Sequence, residues 1–222
     1  MKWTVEIVQQ AVSIPMSIDS SNTEILKAGL EVCDKSRARP MVNSVSLERP
    51  NAIEIAKNAN AVVVASAAGE GSLPNAIDER MANIEAIYEL LKNKGYDLSS
   101  IHFDPLVFPI ATDGQNGVSF LDTVKAIREK YGPEAHIVAG LSNISFGMPN
   151  RKLINQVYTY LAVEAGADGG IVDPMQINTD MLNTLDTESE PFAITKALLM
   201  GDDDFGMNYI TASREGKLEK RL

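Results

Sequence analysis

Six short apolar runs, each followed by an amphipathic stretch, constrain the fold of this chain more than any other feature. The runs are IPMSID (14–19), PMVNSV (40–45), NAVVVASA (60–67), IHFDPLV (101–107), HIVAGLSN (136–143) and GGIVDP (169–174). Several are apolar at consecutive positions, the pattern of strands covered on both faces in a parallel sheet. Between them lie helical patterns. In AIDERMANIEAIYELLKNKG (76–95), Ile77, Met81, Ile84, Ile87, Tyr88 and Leu91 make one stripe and Gly95 is a stop. NRKLINQVYTYLAVEAGA (150–167) repeats the design. Strict strand–helix alternation predicts an α/β fold, either a doubly wound sheet or a (β/α)8 barrel. No strand is followed by Gly-x-Gly-x-x-Gly, which disfavours a dinucleotide-binding sheet. A length of 222 residues suits one domain with a full core, so residues 1–222 are read as a single domain.

In a barrel, function collects where strands end. Here the runs finish on Asp19, Asn43, Ser66, Asp104, Asn143 and Asp173. Any one of these alone reads as a helix cap or an Asx turn. Six at one end of a barrel read instead as a polar ring, with paired donors and acceptors suited to a flat heterocycle carrying amino, ring N–H and carbonyl groups. AAGEGSLPN (67–75) lacks the Lys-Ser/Thr of a phosphate loop and reads as a plain connection.

Composition removes other classes. A net charge of −10 without clustered Lys and Arg argues against nucleic acid. Cys33 is the only cysteine, which excludes an intrachain disulfide and a multi-cysteine metal site, and it reads as a packing residue. His102 and His136 lack spaced partners, so both read as structural and no metal site is expected. No segment has the length and apolarity of a membrane span or a secretory signal, and a cytoplasmic protein is expected.

Four motifs then point to a family. SIDSSN (17–22), MVNSVS (41–46), FDPLVFP (103–109) and GLSNISFGMPNR (140–151) resemble successive motifs of the pterin-binding methyltransferases. These enzymes move a methyl group between tetrahydrofolate and a corrinoid protein; the group includes the folate domain of cobalamin-dependent methionine synthase. The resemblance runs from about Trp3 to about Leu199 and implies a (β/α)8 barrel of the dihydropteroate synthase-like type. It implies tetrahydrofolate or 5-methyltetrahydrofolate as substrate, and cobalamin carried by a partner protein. By the same resemblance Asp19, Asn43 and Asp104 bond the pterin edge, Gly140 and Ser142 shape its pocket, and Asn143 reaches N5 as the catalytic group. Arg151 either binds the folate glutamate or makes a backbone contact at its helix start. Phe146 is either a staple into that helix or an apolar wall of the site.

Compared with that family the chain starts late, after a strand, a helix and a second strand. Six βα units stand where a closed barrel has eight. Trp3, Ile7, Val8 and Val12 are expected to form the buried stripe of a helix, and uncovered sheet edges favour a homo-oligomer. Two alternatives remain: a dihydropteroate synthase-like enzyme, against which stands the lack of basic residues in GGIVDP, and a non-catalytic pterin-binding or interaction protein.

Overall fold

The computed structural model describes residues 1–219. They form two compact units, one of residues 1–104 and 131–136, the other of 105–130 and the residues from 137 onward.

The first unit runs α1 (Lys2–Ala11), β1 (Ser17–Asp19), α2 (Thr23–Glu31), β2 (Met41–Val45), α3 (Asn51–Asn58), β3 (Val62–Ser66), α4 (Ile77–Asn93) and β4 (Ile101–Asp104). Each strand is parallel to the next, with Asp19 opposite Asn43, Asn43 opposite Val64 and Ser66 opposite Asp104. β3 is buried from Val63 to Ser66, which explains its unbroken apolar run. On α4 the stripe is sound at Ile84, Ile87 and Leu91, all fully buried, and Gly95 follows the helix with φ 81°. α2 starts where Asn22 accepts from the backbone N–H groups of Glu24 (2.9 Å) and Ile25 (3.1 Å). Cys33 is a buried packing residue, and burial raises its thiol pKa. His102 and His136 stack with ring centroids 4.6 Å apart, which suits the structural role expected of them.

α1 departs from expectation. Its predicted buried stripe is exposed, with Trp3 at 72%, and only Val5 is buried. The helix is attached through Val5 and through polar contacts: Gln9 Nε2 donates to Val32 O (3.0 Å) and Gln9 Oε1 accepts from Asp34 N (2.7 Å). Among the described residues no element of this unit covers the stripe, since Trp3, Ile7, Val8 and Val12 are all exposed.

The second unit contains α5 (Asn116–Tyr131), β5 (His136–Ala139), α6 (Arg151–Ala165), β6 (Gly169–Gly170), α7 (Thr179–Thr184), α8 (Glu190–Leu199) and α9 (Met207–Arg214), except that Tyr131 and His136 belong to the first unit. β5 and β6 are parallel, Val138 opposite Gly169. Phe120, Val124, Ile137, Ile154, Val157 and Tyr158 fill the core. β5 ends before Asn143 because a 3-10 turn takes over at Leu141–Ser145, with Asn143 N donating to Gly140 O at 3.1 Å. β6 is shorter than the run GGIVDP. Asp173 turns the chain by accepting from Met175 N (3.0 Å) and Gln176 Nε2 (2.8 Å).

Among the described residues, then, six strands alternate with helices in the order expected for a barrel of this class lacking two strands. Of the glycines in the second unit Gly117 is the most closely approached: an added Cβ would lie 2.2 Å from the backbone oxygen of Leu199. A backbone atom cannot swing aside as a side chain can. Gly117→Ala is therefore expected to destabilise the protein by about 3 kcal/mol or more in urea denaturation. A loss under about 1 kcal/mol would show that α5 and α8 do not approach this closely.

Candidate active site

In the first unit the polar residues at the strand ends are placed by register. Asp19 and Asn43 are cross-strand partners, and the Asn43 carboxamide donates to the Asp19 carboxylate at 3.4 Å, a long contact that leaves both groups capacity for a ligand. Asp104 closes β4 opposite the buried Ser66, and its backbone oxygen accepts from Ala67 N at 2.9 Å. Asp19 and Asp104 thus stand at the C-terminal ends of β1 and β4, whereas Asn43, expected to close its strand, lies in the middle of β2, which runs on to Val45, and is brought level with Asp19 by register. The backbone just past them is braced by half-buried Arg49, which donates to Ser20 O (3.2 Å) and Ser44 Oγ (3.0 Å). The loop after β3 is held as well, by Asn83 donating to Ala67 O (2.8 Å) and by Gly71 N donating to Glu48 (3.0 Å).

In the second unit Gly140, Ser142 and Asn143 occupy the turn after β5. A Cβ on Gly140 would lie 3.1 Å from Asn143 Nδ2, so a side chain there would press the carboxamide out of its present position. Asn143 is half-buried, sheltered yet reachable. Arg151 clamps the turn: Nε donates to Ser145 Oγ (3.0 Å), Nη2 to Ser142 O (3.2 Å), and the guanidinium carbon lies 4.4 Å from the Phe146 ring centre. Ser145 Oγ in turn donates to Ser142 O at 3.1 Å. Arg151 therefore makes a contact at its helix start, and Phe146 is its stacking partner. A cleft of about 230 Å³ borders this turn, lined by Ser142, Arg151, Asn155, Asp173 and Gln176.

Behind the turn, Tyr209 donates to Pro149 O at 3.2 Å, and burial holds its phenol pKa well above the ordinary value, so it remains a donor. Ile110 N donates to Ile144 O at 2.9 Å. Among the described residues no group of three or more His, Cys, Asp or Glu side chains gathers to hold a metal, and no helix is long and apolar enough to cross a membrane. Arg49 and Ser145 were not anticipated from sequence. For Ser145 the signal was there, in Ser142 and Ser145 set three apart within one short polar run.

Asp19 and Asn43 in the first unit offer paired donor and acceptor groups, and Asn143 in the second offers a carboxamide on a braced turn. The model of the pterin-binding enzymes matches residues 1–173. The chain belongs to the pterin-binding enzyme family. Family membership gives its fold class, a pterin-binding (β/α)8 barrel with two strands fewer among the described residues. The chain is 35% identical over 223 residues to the methylcorrinoid:tetrahydrofolate methyltransferase of Eubacterium limosum, covering 98% of this chain and 77% of that protein. It is 33% identical over 196 residues to the methionine synthase of Mycobacterium tuberculosis, covering 80% of this chain but 16% of that much longer protein.

The contact between Gly140 and Asn143 is open to a direct check. Gly140→Ala should displace the Asn143 carboxamide, moving its side-chain NH2 signals in a 15N–1H spectrum, while stability falls by about 1 kcal/mol or less because the site is half-open. Unmoved signals would show that the carboxamide does not rest against Gly140.

Proposed function

We propose that this pterin-binding enzyme is a methyltransferase acting between tetrahydrofolate and the cobalt of a corrinoid protein, with residues 1–222 working as one domain. Both relatives support the reading: one is named for the transfer from methylcorrinoid to tetrahydrofolate, and the other is a methionine synthase. The observation that carries it is Asn143, a neutral carboxamide packed close against Gly140 on a turn clamped by Arg151.

In this reading Asp19, Asn43 and Asp104 bind the pterin edge, Gly140 and Ser142 shape its pocket, and Arg151 offers its remaining N–H groups to the folate. Asn143 faces N5. Towards tetrahydrofolate, the N5 lone pair forms the new bond to the methyl carbon, the Co–C electron pair stays on cobalt as Co(I), and the N5 proton leaves. In reverse, N5 must regain that proton, because a neutral amine is released far more readily than an amide-like anion. A carboxamide serves both directions, since its oxygen accepts from N5–H and its nitrogen donates to the N5 lone pair. It adds no charge to compete with that on cobalt. A hydrogen bond that strengthens as N5 changes protonation stabilises the transition state more than the bound substrate.

Asn143→Ala should lower single-turnover transfer at saturating folate by about 10²–10³-fold with little change in folate affinity, by analogy with loss of one oxyanion-hole donor. Asp104→Ala should do the opposite, weakening tetrahydrofolate binding by about 1.5–3 kcal/mol in calorimetry. An Asn143 variant with the parent rate, or an Asp104 variant with the parent affinity, would remove that residue from its role.

A cytoplasmic protein without a nucleic-acid partner is part of the same reading, as is a homo-oligomer. The oligomer is supported by the exposed α1 stripe of Trp3, Ile7, Val8 and Val12 and by the uncovered side of β1. Sedimentation velocity should show the wild type associating at micromolar concentrations and Trp3→Glu shifted to monomer. A wild type that sediments as a monomer would dispose of the oligomer and leave the chemistry untouched.

A further inference from the structure

Phe205 is 97% exposed, the highest value for a large apolar side chain among the described residues. Its backbone also has φ 55°, the left-handed region that a bulky residue occupies only at an energetic cost. A ring in that setting gains nothing from burial, so the folded chain by itself does not account for it. The loop that carries it is built to hold it out. Asp203 is buried and accepts from Asn208 N (3.0 Å) and Tyr209 N (2.8 Å), which fixes the loop to the start of α9. On the other side Asp202 N donates to Ala197 O at 2.9 Å, fixing it to α8.

Beside the ring lies a cleft of about 440 Å³ whose apolar lining is Ile110, Ala111, Met148 and Leu198 and whose acidic lining includes Asp113 and Asp204. Asp202 and Met207 are exposed nearby in sequence. Two backbone hydrogen bonds join the cleft wall to the turn that carries Asn143: Ile110 N to Ile144 O (2.9 Å) and Met148 N to Ser145 O (3.1 Å). The patch is therefore a fixed neighbour of the reacting turn.

We propose that Phe205 and this cleft are the docking anchor for the corrinoid-carrying protein, which meets them with an apolar socket ringed by basic side chains. The inference rests on the methyl-transfer reading above. A corrinoid bound to a protein is a large substrate, and its cobalt must come to within bonding distance of a methyl at N5. The carrier must then seat beside the Asn143 turn, and the cleft is there. An aromatic anchor next to an apolar pocket, rimmed by charge, is the usual make-up of an interface hot spot. The acidic rim decides the kind of partner. A second copy of this chain, with its net charge of −10, would bring acid to acid, whereas a basic surface is steered in.

The test compares two methyl donors, free methylcobalamin and a purified methylcorrinoid protein, on wild type, Phe205→Ala and Asp204→Lys. For Phe205→Ala, kcat/KM with the protein donor should fall by about 10–100-fold, while the rate with free methylcobalamin stays within about twofold, since the free corrin needs no protein seat. Asp204→Lys should also lose rate with the protein donor and weaken its dependence on salt. The thermal midpoint of Phe205→Ala should not fall, because the ring has no packing to lose. An unchanged rate with the protein donor, or equal losses with both donors, overturns the proposal. So does a Phe205→Ala variant that alters the sedimentation of the chain alone, which would make a second copy the occupant. A wild type active with free methylcobalamin and with no corrinoid protein overturns the docking site only. A wild type active with neither donor removes the methyl-transfer reading as well.

Discussion

A strand buried on both faces has no room for a polar side chain along its length, so polar chemistry is confined to the places where such strands stop. That constraint shapes everything functional in this chain. β3 is closed to polar groups until Ser66, Asp19 and Asp104 stand at the last positions of their strands, and Asn43 lies in the middle of β2, a strand buried only at Val42 and Val45. Parallel pairing then does what sequence spacing alone cannot. Because all four strands of the first unit point the same way, residues separated by 24 positions, such as Asp19 and Asn43, come into hydrogen-bonding contact at one end. The placing of these polar groups is a by-product of burial, and the choice of carboxylate and carboxamide decides what they could bind.

Strand ends are also where backbone groups lose their ladder partners, and the chain meets this with guanidinium groups. Arg49 in the first unit donates to Ser20 O and Ser44 Oγ; Arg151 in the second donates to Ser142 O and Ser145 Oγ. Each clamp joins one backbone carbonyl to one serine hydroxyl. Arg39 repeats the pattern at the opposite ends of the strands, donating to Asn60 O, Ala61 O and Ser100 Oγ. A rigid fork with five donors can span two turns of chain that a lysine could only touch at a point. The consequence for the chemistry is preorganisation: Asn143 sits on a turn whose shape does not wait for a ligand.

The strand positions and the residues that close most of them were legible in the sequence because burial on both faces writes an unbroken apolar run. Helix α4 was legible for a similar reason, the spacing of Ile84, Ile87 and Leu91. Other features left no such mark. The clamps were hidden because their acceptors are mostly backbone carbonyls, which every residue has. The extent of β6 was misjudged because Gly169 and Gly170 carry no side chains to show a face, and Asp173 looks the same in a strand end as in an Asx turn. The stripe on α1 was misread since periodicity reports that a helix has an apolar face but not that anything covers it. Trp3 and Ile7 satisfy the pattern and remain in solvent.

The part of the chain that sequence motifs describe least also supports the part they describe best. The family match ends at residue 173, while the turn GMPN, which follows Asn143 and leads into α6, is held from beyond that point. Tyr209 donates to Pro149 O, and Ser213 donates to the Asn150 side chain. Asn150 stands at φ 50°, a backbone state that asparagine tolerates better than most residues but that still gains from being held on both sides. α9, which carries Tyr209 and Ser213, is fixed in its turn by Asp203, whose carboxylate caps its first N–H groups. Asp203, α9, the GMPN turn and the Asn143 turn therefore form one mechanical chain. Residues far outside the recognised motifs can shift the Asn143 carboxamide, and the loop that presents Phe205 begins at the same Asp203. Position of the amide and presentation of the ring depend on a single buried carboxylate.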